Sequence, residues 1–143
     1  MTAVVLDASL YVAAISPAER SHAQANALFQ DLAAGGGFLV PALFRLEVTA
    51  ALARRGEPPQ VIDLALAHLS GPRFSEVPVD AALIEAAGSV ARLARLRAYD
   101  AVYAAVALSS QVPLATLDVD LRQRLTAAYP GVTLLPERTP GAR

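Results

Sequence analysis

Five short apolar runs, each set off by a stretch of helical periodicity, restrict the fold of this chain more than any other feature. The runs occupy residues 3–6, 38–40, 74–77, 114–116 and 132–135. They are rich in Val, Leu and Phe, and those at 3–6, 114–116 and 132–135 lack clean alternation, as strands buried on both faces do. Between the runs, apolar residues recur at three- and four-residue spacing. Residues 19–34 place His22, Ala25, Leu28, Phe29 and Leu32 on one face and stop at Gly35, Gly36 and Gly37, a helix-ending signal. Residues 42–54 follow Pro41, and residues 59–69 open at Pro59 and close before Gly71 and Pro72. Residues 80–95 start at Asp80, a favoured cap, 99–109 are apolar almost all round, and 119–128 run from Asp118 to just before Pro130. Strands alternating with helices build βα units. The expected fold is therefore α/β, a three-layer α/β/α sandwich around a mostly parallel five-stranded sheet.

At 143 residues the chain fits one domain, read as 1–136 with a short tail at 137–143. Hydrophobic residues make up 55%, enough for a sizeable core, and the 17% charged fraction leaves no long disordered segment. No apolar run reaches the ~18 residues that span a bilayer. The N-terminus lacks a basic stretch followed by an apolar one, so no leader peptide is expected and the expected location is cytoplasmic. Cys is absent, which removes disulfides and thiolate metal ligands. The net charge of −1 gives no global attraction for a polyanion and counts against a nuclease. All 12 basic residues are Arg, the better fork for phosphate.

Ligands in open parallel sheets gather beyond the carboxyl ends of the strands. Asp7 directly follows the first run, and Asp118 lies two residues past the fourth. Two further acids sit within helical stretches, Glu47 in "PALFRLEVTAALARR" and Asp100 in "RLRAYDAVYAAVALSS". An unpaired carboxylate facing a core is costly and tends to neutralise. A hard divalent cation, which seeks carboxylate oxygen, removes the objection and explains why acids would cluster at all.

The ordered set "VVLDAS", "PALFRLEV", "RAYDAVYAAVA" and "LATLDVDLRQRL", with Asp7, Glu47, Asp100 and Asp118 spaced by 40, 53 and 18 residues, resembles the PIN-domain family, most closely its VapC-type toxins. The resemblance covers nearly the whole chain. It implies a Mg²⁺- or Mn²⁺-dependent endoribonuclease that leaves a 5′-phosphate and a 3′-hydroxyl. It also implies that Asp7, Glu47, Asp100 and Asp118 hold the metal, with Ser9 and Thr116 supporting the site. Such toxins are the toxin components of type II toxin–antitoxin pairs. They act on RNA, are usually homodimers, and are held inactive by a small antitoxin encoded nearby. Asp120 competes with Asp118 for the fourth position. Arg92, Arg95 and Arg97 are candidate RNA-phosphate contacts.

Each residue also has a plainer reading. Asp7, Asp100 and Asp118 could simply cap helices, and Glu47 could pair with an Arg in solvent. Arg92, Arg95 and Arg97 could be a solvated helix end; Arg54 and Arg55 are equally ambiguous. His22 reads as a packing residue, and Tyr99 and Tyr103 as core. Two other functions share the frame: a PIN-domain nuclease of RNA maturation or decay, and a non-catalytic binding module. An aspartyl-phosphate enzyme is rejected. The position two after Asp7 is Ser9 rather than a second acid, and the chain has no Lys to neutralise a phosphate.

Overall fold

The computed structural model describes residues 3–138. The strands are β1 (Val4–Leu6), β2 (Phe38–Pro41), β3 (Phe74–Val77), β4 (Leu114–Ala115) and β5 (Leu134–Leu135). The helices are α1 (Ala8–Ile15), α2 (His22–Gly35), α3 (Phe44–Arg54), α4 (Pro59–Leu69), α5 (Ala81–Ala94), α6 (Ala98–Ser110) and α7 (Val119–Ala128). The sheet runs β3-β2-β1-β4-β5, and every pairing is parallel, where a mostly parallel sheet was expected. Helices cover both faces, giving the three-layer sandwich. Val5 pairs with Leu39 on one side and Leu114 on the other, so β1 is the central strand. Val5 and Leu6 are fully buried, which explains their unbroken apolar character.

The chain leaves β1 toward β2 on one side and reaches β4 on the other only after two more helical crossovers, through α3–α4 and α5–α6. The gap between β1 and β4 is thus the point where strand order reverses. Loops from β1 and β4 diverge there and leave a crevice at the carboxyl edge. Asp7 N–H still donates to Ala115 O at 3.1 Å, and Thr116 N–H to Leu135 O at 3.0 Å. The sheet contacts therefore hold both strand ends rigid up to the crevice.

The core on one side of the sheet is an aromatic cluster. Phe38 stacks on Phe29 and Phe74 with ring centroids 5.3 and 5.2 Å apart, and Tyr11 meets Phe29 edge-on at 5.6 Å. The Tyr11 hydroxyl reaches His68 Nδ1 at 2.9 Å, so this buried polar tip is satisfied. Burial also pushes the Tyr11 phenol up to about 12. With only eight residues, α1 would not persist alone in water; burial of Leu10, Tyr11 and Val12 holds it.

Several boundaries differ from the sequence reading, each for a local reason. Helix α2 begins at His22 rather than 19, because residues 16–22 form successive turns closed by Glu19 N–H to Ser16 O and His22 N–H to Glu19 O. The His22 ring contacts Ala13 O at 2.9 Å and so ties α2 to the end of α1. The glycine run does end α2, but through an extended Gly36 (φ 164°) rather than a left-handed cap. Gly37 has a separate cause: a Cβ there would lie 3.1 Å from the Arg73 carbonyl oxygen of the neighbouring strand entry. Residues 132 and 133 fall outside β5, since Val132 N–H closes a turn onto Tyr129 O. The expected tail at 137–143 lies outside the described residues from 139 onward. Among the described residues, no helix is long and apolar enough to cross a membrane.

Candidate active site

Asp7 is fixed by three hydrogen bonds. Its Oδ1 accepts from Ser9 N–H at 3.2 Å, and its Oδ2 accepts from Ser9 Oγ at 2.9 Å and Thr116 Oγ1 at 2.7 Å. It caps α1 and is buried, at 7% exposure. Asp118 caps α7 by accepting from Leu121 N–H at 3.0 Å, and its own N–H donates to Thr116 Oγ1 at 3.1 Å. The cap readings of Asp7 and Asp118 are thus true of the fold. They leave carboxylate lone pairs free toward the crevice, because a cap uses only part of a carboxylate's acceptor capacity.

Glu47 and Asp100 lie in the first turns of α3 and α6. Glu47 Oε1 accepts from the Tyr103 hydroxyl at 2.7 Å, and Asp100 Oδ2 lies 3.4 Å from Arg97 Nε. Each of the four acids therefore sits at the start of a helix, where exposed N–H groups and the macrodipole favour negative charge. Together with Ser9, Arg97 and Tyr99 they line one cavity of about 270 Å³ at the strand-order reversal.

The charges of this cluster act on one another. Burial lifts the Asp7 carboxyl above its ordinary 3.8; the Thr116 and Ser9 hydrogen bonds oppose this, and Asp118 adds to it. Burial likewise lifts Glu47 above 4.5, with Asp7 and Asp100 adding to it and the Tyr103 hydroxyl opposing. Asp100 is raised by burial first, then by the charges of Asp7 and Asp118, while Arg97 pulls it back. Burial and the neighbouring Glu47 hold the Tyr103 phenol far above its ordinary value, so it remains a donor.

A hard divalent cation fits this donor set, because every inward acid presents oxygen and the mutual repulsion is what a cation relieves. Among the described residues, no three acidic or imidazole groups converge tightly enough to hold an ion alone.

Some candidates fall elsewhere. Of the three arginines expected near the acids, only Arg97 lines the cavity. Arg92 ends α5 on its exposed side, and Arg95 is its left-handed cap (φ 56°). Asp120 points outward and pairs with Arg124 at 2.9 Å, while Asp118 faces the cavity. Tyr103 is core, as read, but Tyr99 is not: it is 61% exposed at the cavity rim. The apolar tenor of "AYDAVYAAVA" hid that the first turn of α6 stands clear of the core. The sequence reading also missed Arg122. This buried residue donates from Nη1 to the Thr116 and Leu135 carbonyls at 2.9 and 3.1 Å, and it also contacts the Pro136 carbonyl. Arg122 thereby braces the backbone of Thr116 from behind.

Comparison with known proteins places this arrangement. Among solved structures, VapC20 of Mycobacterium tuberculosis, described as a sarcin–ricin loop cleaving toxin, superposes with a TM-score of 0.74 at 20% identity, covering 96% of this chain and 99% of that one. VapBC2 of Rickettsia felis, solved bound to a DNA fragment from its promoter, gives 0.66 at 17% identity, covering 93% and 97%. A toxin–antitoxin complex from Klebsiella pneumoniae gives 0.66 at 15% identity, covering 96% and 99%. At these identities the likeness is one of fold. No curated protein matches the chain by sequence. The family model of the PIN domain matches residues 4–124, and the chain belongs to the PIN-domain family.

Proposed function

We propose that this protein is a divalent-cation-dependent endoribonuclease that hydrolyses RNA phosphodiester bonds, and that it is the toxin component of a type II toxin–antitoxin pair. The observation that carries the reading is the convergence of four helix starts, each bearing one acid, on a single cavity at the strand-order reversal. Membership of the PIN-domain family supports the nuclease chemistry. The fold shared with a loop-cleaving toxin and with toxin–antitoxin complexes supports the biological role.

In this reading Asp7, Glu47, Asp100 and Asp118 hold Mg²⁺ or Mn²⁺. When bound, the cation supplies Lewis-acid activation of water and neutralises charge at the phosphate. The chain's own groups set the geometry. Thr116 and Ser9 fix the Asp7 carboxylate, and Tyr103 fixes Glu47. Arg97, 85% exposed and 4.0 Å from Asp118, is free to swing toward a phosphate oxygen. Residues 1–136 form the nuclease unit, and the working species is a homodimer restrained by a small antitoxin.

Purified protein is expected to cleave RNA with Mg²⁺ or Mn²⁺ and to stop when EDTA is added. Expression should arrest growth, relieved by co-expression of a small neighbouring gene. Cleavage that continues undiminished in EDTA contradicts the chemistry. Arrest that no neighbouring gene relieves contradicts the toxin role alone.

A further inference from the structure

Beside the acid cavity lies a larger cleft of about 680 Å³, a volume in the range that encloses a nucleotide-sized ligand. The two share Ser9, Glu47, Arg97 and Tyr99, so they form one continuous depression. One wall is a stripe of α3 and its cap, in which Leu43 at the cap and Leu46, Ala50 and Arg54 in the helix recur at helical spacing. The facing rim is Tyr99. Leu46 is 69% exposed and Tyr99 61% exposed, both large apolar surfaces left open on either side of the depression. Glu47 and Arg54 are seven residues apart on α3, about 10 Å along its axis. Arg54 makes no ion pair among the described residues, whereas its neighbour Arg55 is paired with Glu19.

The chemistry of this depression is selective. Arg97 stands where the cleft meets the acid cavity, Arg54 and Arg55 line it beyond, and the rest of the lining is mostly aliphatic or aromatic apart from Ser9 and Glu47. Arg97 already lies against Asp100 and Asp118, but an apolar peptide would cover the surface and leave Arg54 unmatched. A nucleic acid strand supplies both missing partners, a phosphate for Arg54 and an unstacked base for the open ring. A duplex does not fit, since its bases are already stacked on one another.

Resting on the nuclease reading, we propose that the cleft along α3 holds a single-stranded segment of the RNA substrate, with the base next to the scissile phosphate stacked on Tyr99 and the following backbone held by Arg54. Tyr99 is then a specificity-determining residue: it selects an unpaired base beside the cut. The low net charge does not weigh against such a contact, because Arg54, which makes no ion pair among the described residues, supplies the cation locally.

The test uses the full chain and an unstructured oligoribonucleotide of about 12 nucleotides carrying one 2-aminopurine, with binding measured in EDTA so that the strand stays intact. Binding to the wild-type protein, Tyr99→Phe and Tyr99→Trp should quench the 2-aminopurine. Tyr99→Ala should lose the quench and bind roughly 5- to 100-fold more weakly. Arg54→Gln should keep the quench but weaken binding and flatten its salt dependence. Uptake of Mn²⁺ in a calorimeter should be the same for Tyr99→Ala and the wild type. If Tyr99→Ala binds and quenches like wild type while both take up Mn²⁺ and cleave RNA, the stacking inference is overturned and the cleft is left to a protein partner. If the wild type neither takes up Mn²⁺ nor cleaves RNA, the nuclease reading itself is overturned.

Discussion

Thr116 serves two of the four acids with a single hydroxyl. It donates to Asp7 Oδ2 and accepts from the Asp118 N–H, so one atom sets the spacing of two candidate ligands. Thr116→Val keeps the shape and removes only that atom. We expect a loss of about 10- to 100-fold in cleavage rate or metal affinity, as for other residues that orient metal ligands. The acid limb of the rate profile should also move upward, because the strongest of the bonds that oppose the raised Asp7 value is gone and only those from Ser9 remain. Cleavage assays across pH on the folded variant measure both. Thr116 and Ser9, which both hydrogen-bond to Asp7, were anticipated only through the family resemblance. The Tyr103 partner of Glu47 was not, since 56 residues separate them and only the fold brings them together. Arg122 was equally hidden: its helix reads as an ordinary amphipathic one, and nothing local says that its guanidinium turns inward onto three carbonyls.

At the scale of elements, α1, α3, α6 and α7 all begin at the same crevice. Their N-termini soften the cost of gathering four acids but do not abolish it, because burial still raises Asp7, Glu47 and Asp100 above their ordinary values. An acid raised in the fold binds its proton more tightly there than in the unfolded chain. Its contribution to stability is therefore complete below the unfolded values near 3.8 and 4.5, and is lost as pH rises through the folded values. Asn caps a helix as well as Asp does and carries no charge. In EDTA at pH 7, Asp7→Asn should melt at a higher temperature than wild type, with the gap closing as pH falls toward 4. Thermal melts across that range check the sign; a variant that melts lower at pH 7 would contradict it. The same helices show what a sequence can carry. Helices α4 and α7 were readable to the residue, because Pro59 and the Asp118 cap mark their starts. The start of α2 was not, because the turns at 16–22 mimic its first turn.

The whole molecule sets a rigid sheet and aromatic core against an open, charged crevice. Phe38, 1% exposed between Phe29 and Phe74, lies at the centre of that core. Phe38→Ala should cost about 3–5 kcal/mol, read from the denaturant midpoint. Strand and helix alternation sufficed to anticipate the sandwich, and strand ends sufficed to anticipate where acids would gather. Net charge is a weaker guide, because a sum over the chain says nothing of where the guanidinium groups stand. What distinguishes a metal-dependent nuclease from a folded remnant of one is whether the four acids take up a cation together. Mn²⁺ titrated calorimetrically into the wild type at pH 7 should saturate a site, and that uptake should vanish in both Asp7→Asn and Asp100→Asn. Absence of uptake by the wild type at millimolar Mn²⁺, or undiminished uptake by both variants, would contradict the four-acid metal centre.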